Sequence, residues 1–496
     1  MRPGIAIASS LISAGLIGGC LFKASPSRGG GQISDEQAEA PRRARAGDVA
    51  VAPGYRIEVV ARGLTFPTGI AFADDRRGYL VEAGYSYGEL VTQPRILELD
   101  LRRGTITREI ARGTHGPWNG IDFHDGALFV TQGGAVEQAG RIVRIGLDGQ
   151  QRVLVDRLPS GDHHTNGPLV TDGWIYFGQG TMTNSAIVGP DNHDFGWLRR
   201  APALHDVPCQ DIKLAGTNFT SPNPLTTAAA GDSEVSTGAY LPFGTPSTAG
   251  QVIHGAVPCS GAVMRVSPRG GEPELVAWGL RNPYGLARGT DGIYVTENSF
   301  DVRGSRPVFG TGDFLWKLDP GAWYGWPDYA GGQPLTDDAF AEAGGAPRGF
   351  LLAEHPRRPP SPLAILPVHA SANGFDIART DRFGYPGQAF VALFGDMAPE
   401  VGKVMAPVGF RVVRVDLATG IYKDFARNRG DRSGPASRLG SQGLERPIAA
   451  RFDPGGQHLY VVDFGVLQMT EQGPSPEPRT GVLWRITKEA RHATAR

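Results

Sequence analysis

Residues 66–84, FPTGIAFADDRRGYLVEAG, run in a definite order: turn residues and a glycine, an apolar run, a tight turn, a second apolar run, then a polar residue and glycine. The same order returns at 117–134 (PWNGIDFHDGALFVTQGG), 164–181 (HTNGPLVTDGWIYFGQGT), 281–299 (RNPYGLARGTDGIYVTENS), 371–396 (SANGFDIARTDRFGYPGQAFVALFGD) and 445–465 (ERPIAARFDPGGQHLYVVDFG). A unit that recurs along a chain is the mark of a repeat architecture. Alternating runs such as RILELDL, GRIVRIGLDG and FRVVRVDLATG lie between the units, so each holds about four strands, the content of a propeller blade. The run YRIEVVARGL at 55–64 precedes the first unit and is expected to close the ring as the outer strand of the last blade. The fold class expected is all-β, a six-bladed β-propeller over 53–490 with four-stranded blades and one long excursion at 182–258. Packed β-sandwiches or a solenoid are the competing arrangements.

Composition agrees with short strands and turns: 496 residues include 70 glycines and 39 prolines, with 40% hydrophobic residues. Forty-nine basic against fifty acidic residues leave a net charge of −1, and no basic run is interleaved with aromatics. Nucleic acid therefore has no electrostatic footprint here. The start, MRPGIAIASSLISAGLIGGCLF, has an apolar stretch too short to span a bilayer and reads as an export signal over 1–20. Its end resembles a bacterial lipobox, with Cys20 as the lipidated residue, against the alternative of an ordinary cleaved signal. The protein is then expected in the bacterial cell envelope, on its periplasmic or extracellular face, touching membrane only through that anchor. Residues 21–52 are polar and Gly/Ser/Ala-rich and are expected to be a disordered tether. Cys209 and Cys259, each following Val-Pro, are an even pair in an exported chain. A disulfide closing the excursion is expected, with two buried thiols as the alternative.

In a propeller the loop leading into the first strand of a blade and the loop leading out of the second open on one face. The lead-in loops supply Thr68, Trp118, Asn119, His163, His164, Asn166, Arg281, Asn282, His369, Asn373 and Arg446; the lead-out loops supply Glu82, Gln132, Gln179, Thr181, Glu297, Asn298, Asp396 and Asp463. A funnel lined by such groups is the default binding site of the fold. Imidazole can take a proton near neutrality, and an arginine across the pocket can hold an anion. Turn formers and spacers at the blade tops are the plainer reading of the same residues.

LPSGDHHTNGPLV (158–170), WGLRNPYGLA (278–287), GAWYGWPDYAGG (321–332) and APVGFRVVRVDLATG (406–420) resemble the soluble quinoprotein sugar dehydrogenases, the glucose/sorbosone dehydrogenase family, over about residues 55–488. The resemblance implies pyrroloquinoline quinone (PQQ) and calcium as cofactors, and oxidation of a sugar at its anomeric hydroxyl to a lactone. In the absence of a C-x-x-C-H haem motif the electrons would go to an external acceptor. It places the catalytic base on His164 and the arginine beside the cofactor on Arg281. Asn282, Gln179 and Arg446 fall to cofactor contacts, with Lys403 as a substitute for a lysine expected at Val408. The main-chain oxygens of Ser299 and Phe300 fall to calcium. The chain departs from the family pattern at Thr181, in place of a carboxylate that orients the histidine, and at Pro168, Val408 and Leu444; Asp162 or Asp396 is then the candidate to orient His164. Two other functions fit the same funnel: a non-catalytic lipoprotein that binds carbohydrate or a protein partner, and a lactonase-like hydrolase with calcium held by Glu82, Asn119, Glu297 and Asp463.

Overall fold

The computed structural model describes residues 42–489 apart from 87–89, 115, 135–138, 227–231, 347, 399–400, 403–405 and 471–472. Cys20, Lys403 and most of the expected signal and tether lie outside the described residues.

Six antiparallel sheets form the ring, five of four strands and one, blade 5, with a fifth strand added at its outer edge. Blade 1 runs through Pro67–Phe72, Arg77–Glu82, Arg95–Asp100 and Thr105–Arg112, and blades 2 to 5 repeat that meander. Blade 6 is built from Pro447–Phe452, His458–Asp463 and Gly481–Lys488, and Tyr55–Leu64 completes it from the other end of the chain. Ring closure by 55–64 is therefore as the sequence indicated. Along a blade the pattern moves from buried to exposed: Ala127–Gln132, second in blade 2, is buried throughout, while the first four residues of Thr105–Arg112, outermost in blade 1, are exposed. Large apolar side chains such as Trp118, Phe177, Phe375 and Trp484 fill the layers between blades, each worth about 1.5–3 kcal/mol of burial.

In the first five units the glycine sits where inner strands of neighbouring blades meet at the axis, and the sixth has Ala449 in its place. A Cβ on Gly120 would lie 1.6 Å from the Gly167 carbonyl oxygen, and one on Gly285 would lie 2.6 Å from that of Asn373. Backbone contact this close leaves no room for a side chain.

The excursion leaves blade 3 after Trp174–Gln179 and returns at Ala262–Val266. It holds two short helices, Pro190–Asp194 and Trp197–Arg200, two small hairpin-like pairs, and the Cys209–Cys259 disulfide, Cα atoms 5.0 Å apart. The N-terminal boundary differs from expectation. Residues 42–52, assigned to a disordered tether, carry strand Val49–Val51, which pairs with Tyr422–Asn428 as a fifth strand of blade 5. Val49 is buried, and Arg42 inserts among the loops of blade 6, bonding Asp463, Thr480 and Gly443. A polar composition hid this because one buried arginine and a three-residue edge strand carry no hydrophobic period.

Candidate active site: the funnel at the blade tops

A funnel opens where the lead-in loops converge, lined by His163, His164, Arg281, Asn282, Ser299, His369 and others. It continues into an axial channel lined by Thr68, Asn119, Asn166, Asn282, Asn298 and Asn373. His163, His164, Asn282 and Asn298 face both.

Each imidazole is seated on a glycine of a lead-out loop. A Cβ on Gly180 would come 2.3 Å from His163 Cβ, and one on Gly133 2.5 Å from His164 Cβ. His163 Nδ1 lies 3.0 Å from the Thr181 carbonyl oxygen, which can only accept, so Nδ1 donates. The Thr181 hydroxyl, 3.3 Å away, is already donating to the Thr183 carbonyl at 2.6 Å. Thr181 thus orients the ring through its main chain where a carboxylate was expected, and the ring it orients is that of His163. Its Nε2 is left as an acceptor, 3.8 Å from Asp162. His164 is held by rings instead, Tyr85 at 5.9 Å and Trp197 at 6.2 Å between centroids. Its Nδ1 is buried without a partner. Burial, with Arg281 next, lowers His163 to about 3, and burial lowers His164 to about 4, so both are neutral at physiological pH.

Beside them lies an ion cluster the repeat did not reveal. Arg303 reaches Asp162, bonds Asp191 at 2.7 Å and Asp301 at 3.1 Å, and covers the Phe195 ring at 5.1 Å. Arg281 donates to Asp301 at 2.7 Å and to the carbonyl and amide oxygens of Asn184. Burial alone would raise Asp162 and Asp301, yet the two guanidiniums prevail and hold both carboxyls below the usual range. Burial does win at Asp191 and Asp313, each pushed up to about 6. Asp301 and Arg303 have no counterpart in other units, so repeat phase could not find them; Asp191, Phe195 and Trp197 come from the excursion.

Other candidates fall elsewhere. Asn282 joins the amide network, accepting from Asn166 at 2.8 Å and donating to Asn298 at 3.0 Å. Ser299 lines the funnel, whereas Phe300 is a core side chain whose carbonyl accepts from Thr311. Gln179 is fully buried, its amide shared between Thr165 and the Pro159 carbonyl, so it has no group to offer a ligand. Arg446 is also spent: its guanidinium donates to the carbonyls of Leu467, Gly395 and Asp396 between Phe394 and Phe410. A role pairing with cofactor carboxylates does not suit an arginine so committed. Leu444 is core, and Asp396 accepts from the Val408 main chain rather than orienting a histidine.

The four proposed lactonase ligands do not converge. Glu82 accepts from the Thr65 N–H, Glu297 from that of Arg281, and Asp463 from those of Glu445 and Arg446. Each of these three carboxylates ties down the lead-in loop of its own blade, the plainer reading of the repeat. Among the described residues no group of three or more His, Cys, Asp or Glu side chains is placed to hold a metal.

No family profile matches the chain, and no curated protein matches it. Solved structures do. The holo form of the PQQ domain of pyranose dehydrogenase from Coprinopsis cinerea is 17% identical, with a TM-score of 0.53 over 93% of this chain and 99% of that one. The iodide structure of a Trichoderma reesei carbohydrate-active enzyme of family AA12 is 16% identical, with a TM-score of 0.52 over 90% and 99%. The calcium structure of that family gives 14%, 0.51, 90% and 98%. What the chain shares with them is the fold. The six-bladed propeller is thus established over nearly the whole length of these neighbours, and the chemistry is argued from the funnel's own residues.

Proposed function

We propose that the protein is a quinone-dependent oxidoreductase that oxidises a sugar hydroxyl in this funnel, with PQQ and calcium as its cofactors and the anomeric hydroxyl, giving a lactone, as the reacting group. One observation carries the reading: two neutral imidazoles beside two buried guanidiniums in a funnel at the axis of a propeller. A neutral imidazole is the acceptor an alcohol oxidation needs for its hydroxyl proton.

The charges bear on the cofactors. Asp162, Asp191, Asp301 and Asp313 stand against Arg281 and Arg303, more carboxylates than guanidiniums. A quinone bearing carboxylates suits such a site only together with a divalent cation, so the residues fit the two groups as a pair. Arg281 and Asn282 would hold the quinone, and Ser299 and Asp301 would offer oxygens to the hard cation. When bound, the quinone supplies a two-electron acceptor for hydride from the sugar carbon. The chain's part is to hold the imidazoles neutral, take the hydroxyl proton, and keep Arg281 fixed through Asn184 and Asp301.

The test is titration of the full chain with PQQ in calcium, followed by absorbance and by dye reduction with a panel of aldoses. Stoichiometric binding with sugar-dependent reduction is expected; no binding, or binding without turnover, overturns the reading. Saturable sugar binding without electron transfer is the second reading, favoured by the full commitment of Arg446. Lipid anchoring at Cys20 in the cell envelope belongs to the same proposal, with the Cys209–Cys259 bridge in keeping with an oxidising compartment. C20A is expected to move the protein from the membrane to the soluble fraction, and retention in the membrane removes the anchor.

A further inference from the structure

We propose that the adjacent histidines of the funnel are held in opposite tautomers and divide the proton chemistry: His163 accepts the substrate hydroxyl proton at Nε2, while His164 presents Nε2–H as a hydrogen-bond donor to a substrate oxygen. The proposal rests on the reading of the funnel as a site of alcohol oxidation, and it reverses the assignment of the base to His164.

For His163 the tautomer follows from its partners. The Thr181 carbonyl oxygen at 3.0 Å requires a proton on Nδ1, and the Thr181 hydroxyl cannot supply one because it donates to Thr183. Nε2 then carries the lone pair. A proton taken there is met by the Asp162 carboxylate 3.8 Å away, while Nδ1–H keeps its bond to Thr181, so the imidazolium formed has an acceptor on one side and a counter-charge on the other.

For His164 the argument runs through burial. Its Nδ1 is sealed from solvent with no donor or acceptor in reach. Tyr85 lies edge-on at 5.9 Å and Trp197 tilted at 6.2 Å, and Gly133 lies against Cβ and Cγ. A buried N–H without an acceptor is rarer in proteins than an acceptor short of a donor. The lone pair therefore belongs on Nδ1 and the proton on Nε2, the ring nitrogen left to the funnel. An N–H aimed at an oxygen losing its proton stabilises the charge that develops there. Two bases side by side would leave that oxygen without a donor from the pair.

The experiment is long-range proton–nitrogen correlation spectroscopy on the full chain carrying 15N-histidine, near neutral pH and without substrate or cofactor. H163Q and H164Q each delete one ring's signals and so assign them; should either fail to fold, Y85L identifies His164 through the loss of its ring-current shift. His163 is expected protonated at Nδ1 and His164 at Nε2. The same tautomer at both, or a proton on His164 Nδ1, overturns the proposal. In turnover, H163Q is expected to lose about a hundredfold or more in kcat. H164L should lose about a hundredfold, and H164Q, whose amide N–H replaces the donor, clearly less. Equal losses in H164Q and H164L refute the donor role. The tautomers are read without substrate, so failure of the parent to oxidise any sugar counts against the functional reading and not against them.

Discussion

At the scale of single residues, the funnel depends on side chains that are absent as much as on those present. Gly133 has no positive φ to explain it; its backbone passes so near His164 that a Cβ would come 2.5 Å from that ring's own Cβ. G133A is therefore expected to displace His164 and lower kcat by tenfold or more while leaving the far-ultraviolet circular dichroism unchanged; wild-type kinetics would show that the ring does not need its seat. Arg303 is a different case, a buried cation paired with three carboxylates, of which Asp301 is also bonded by Arg281. Removing one partner of a buried pair strands the other, so R303M is expected to destabilise the fold by about 3–5 kcal/mol, measured by denaturant unfolding. A loss within experimental error would mean the cluster is solvated. The histidines were legible from the sequence because they stand at the lead-in phase of the repeat. Arg303 was not, since nothing local marks an ion pair whose partners are 112 and 141 residues distant, nor was Asp301, which lies past the lead-out position of its unit and pairs with Arg281 and Arg303.

At the scale of elements, two segments lie outside the repeat, one walling the funnel and the other bracing the ring. The excursion contributes Asp191, Phe195 and Trp197, and its bridge spans 50 residues. Constraining a loop of that length is worth roughly 4 kcal/mol of unfolded-state entropy. C209S/C259S is expected to lower the melting temperature and, because the excursion walls the funnel, to raise KM for substrate more than it lowers kcat; unchanged kinetics would detach the excursion from the site. The second segment is 42–52. A chain starting at residue 53, the boundary composition suggested, loses both Arg42 from blade 6 and the edge strand of blade 5, and should melt several degrees below one starting at 42. Equal melting temperatures would restore the tether reading. The bridge was visible as a pair of Val-Pro-Cys motifs. The clamp was not, because its contacts with Asp463 and Thr480 reach across 421 and 438 residues.

At the scale of the whole molecule, burial sets how stability follows pH. Glu297 and Glu445 are pushed up to about 7, and Asp191, Asp206 and Asp313 up to about 6, burial leading in every case. Raised carboxyls bind protons in the folded chain while the unfolded chain is still ionised, so their contribution is present at low pH and lost as pH rises through 6 to 7. His163 and His164 have the opposite sign: being lowered, they contribute fully above about 6.5 and lose that contribution as pH falls toward 4 and 3. Five groups outweigh two, so the melting temperature should be higher near pH 5.5 than near pH 8, and a melting temperature that stays level or rises from pH 5.5 to pH 8 would mean these carboxyls are hydrated. The sequence by itself determined the six blades, the ring closure by 55–64 and the convergence of the lead-in loops, because a repeated unit that cannot bury its own faces has to stack on its neighbours. Tertiary structure alone decided which convergent side chains remain available. Arg446, Gln179 and the lead-out carboxylates satisfy backbone and side-chain groups of the blades, whereas Arg281 and the two histidines keep a face on the funnel. The physical reason is that a buried polar group must find partners, and those partners are chosen by approach in space that no spacing along the chain records.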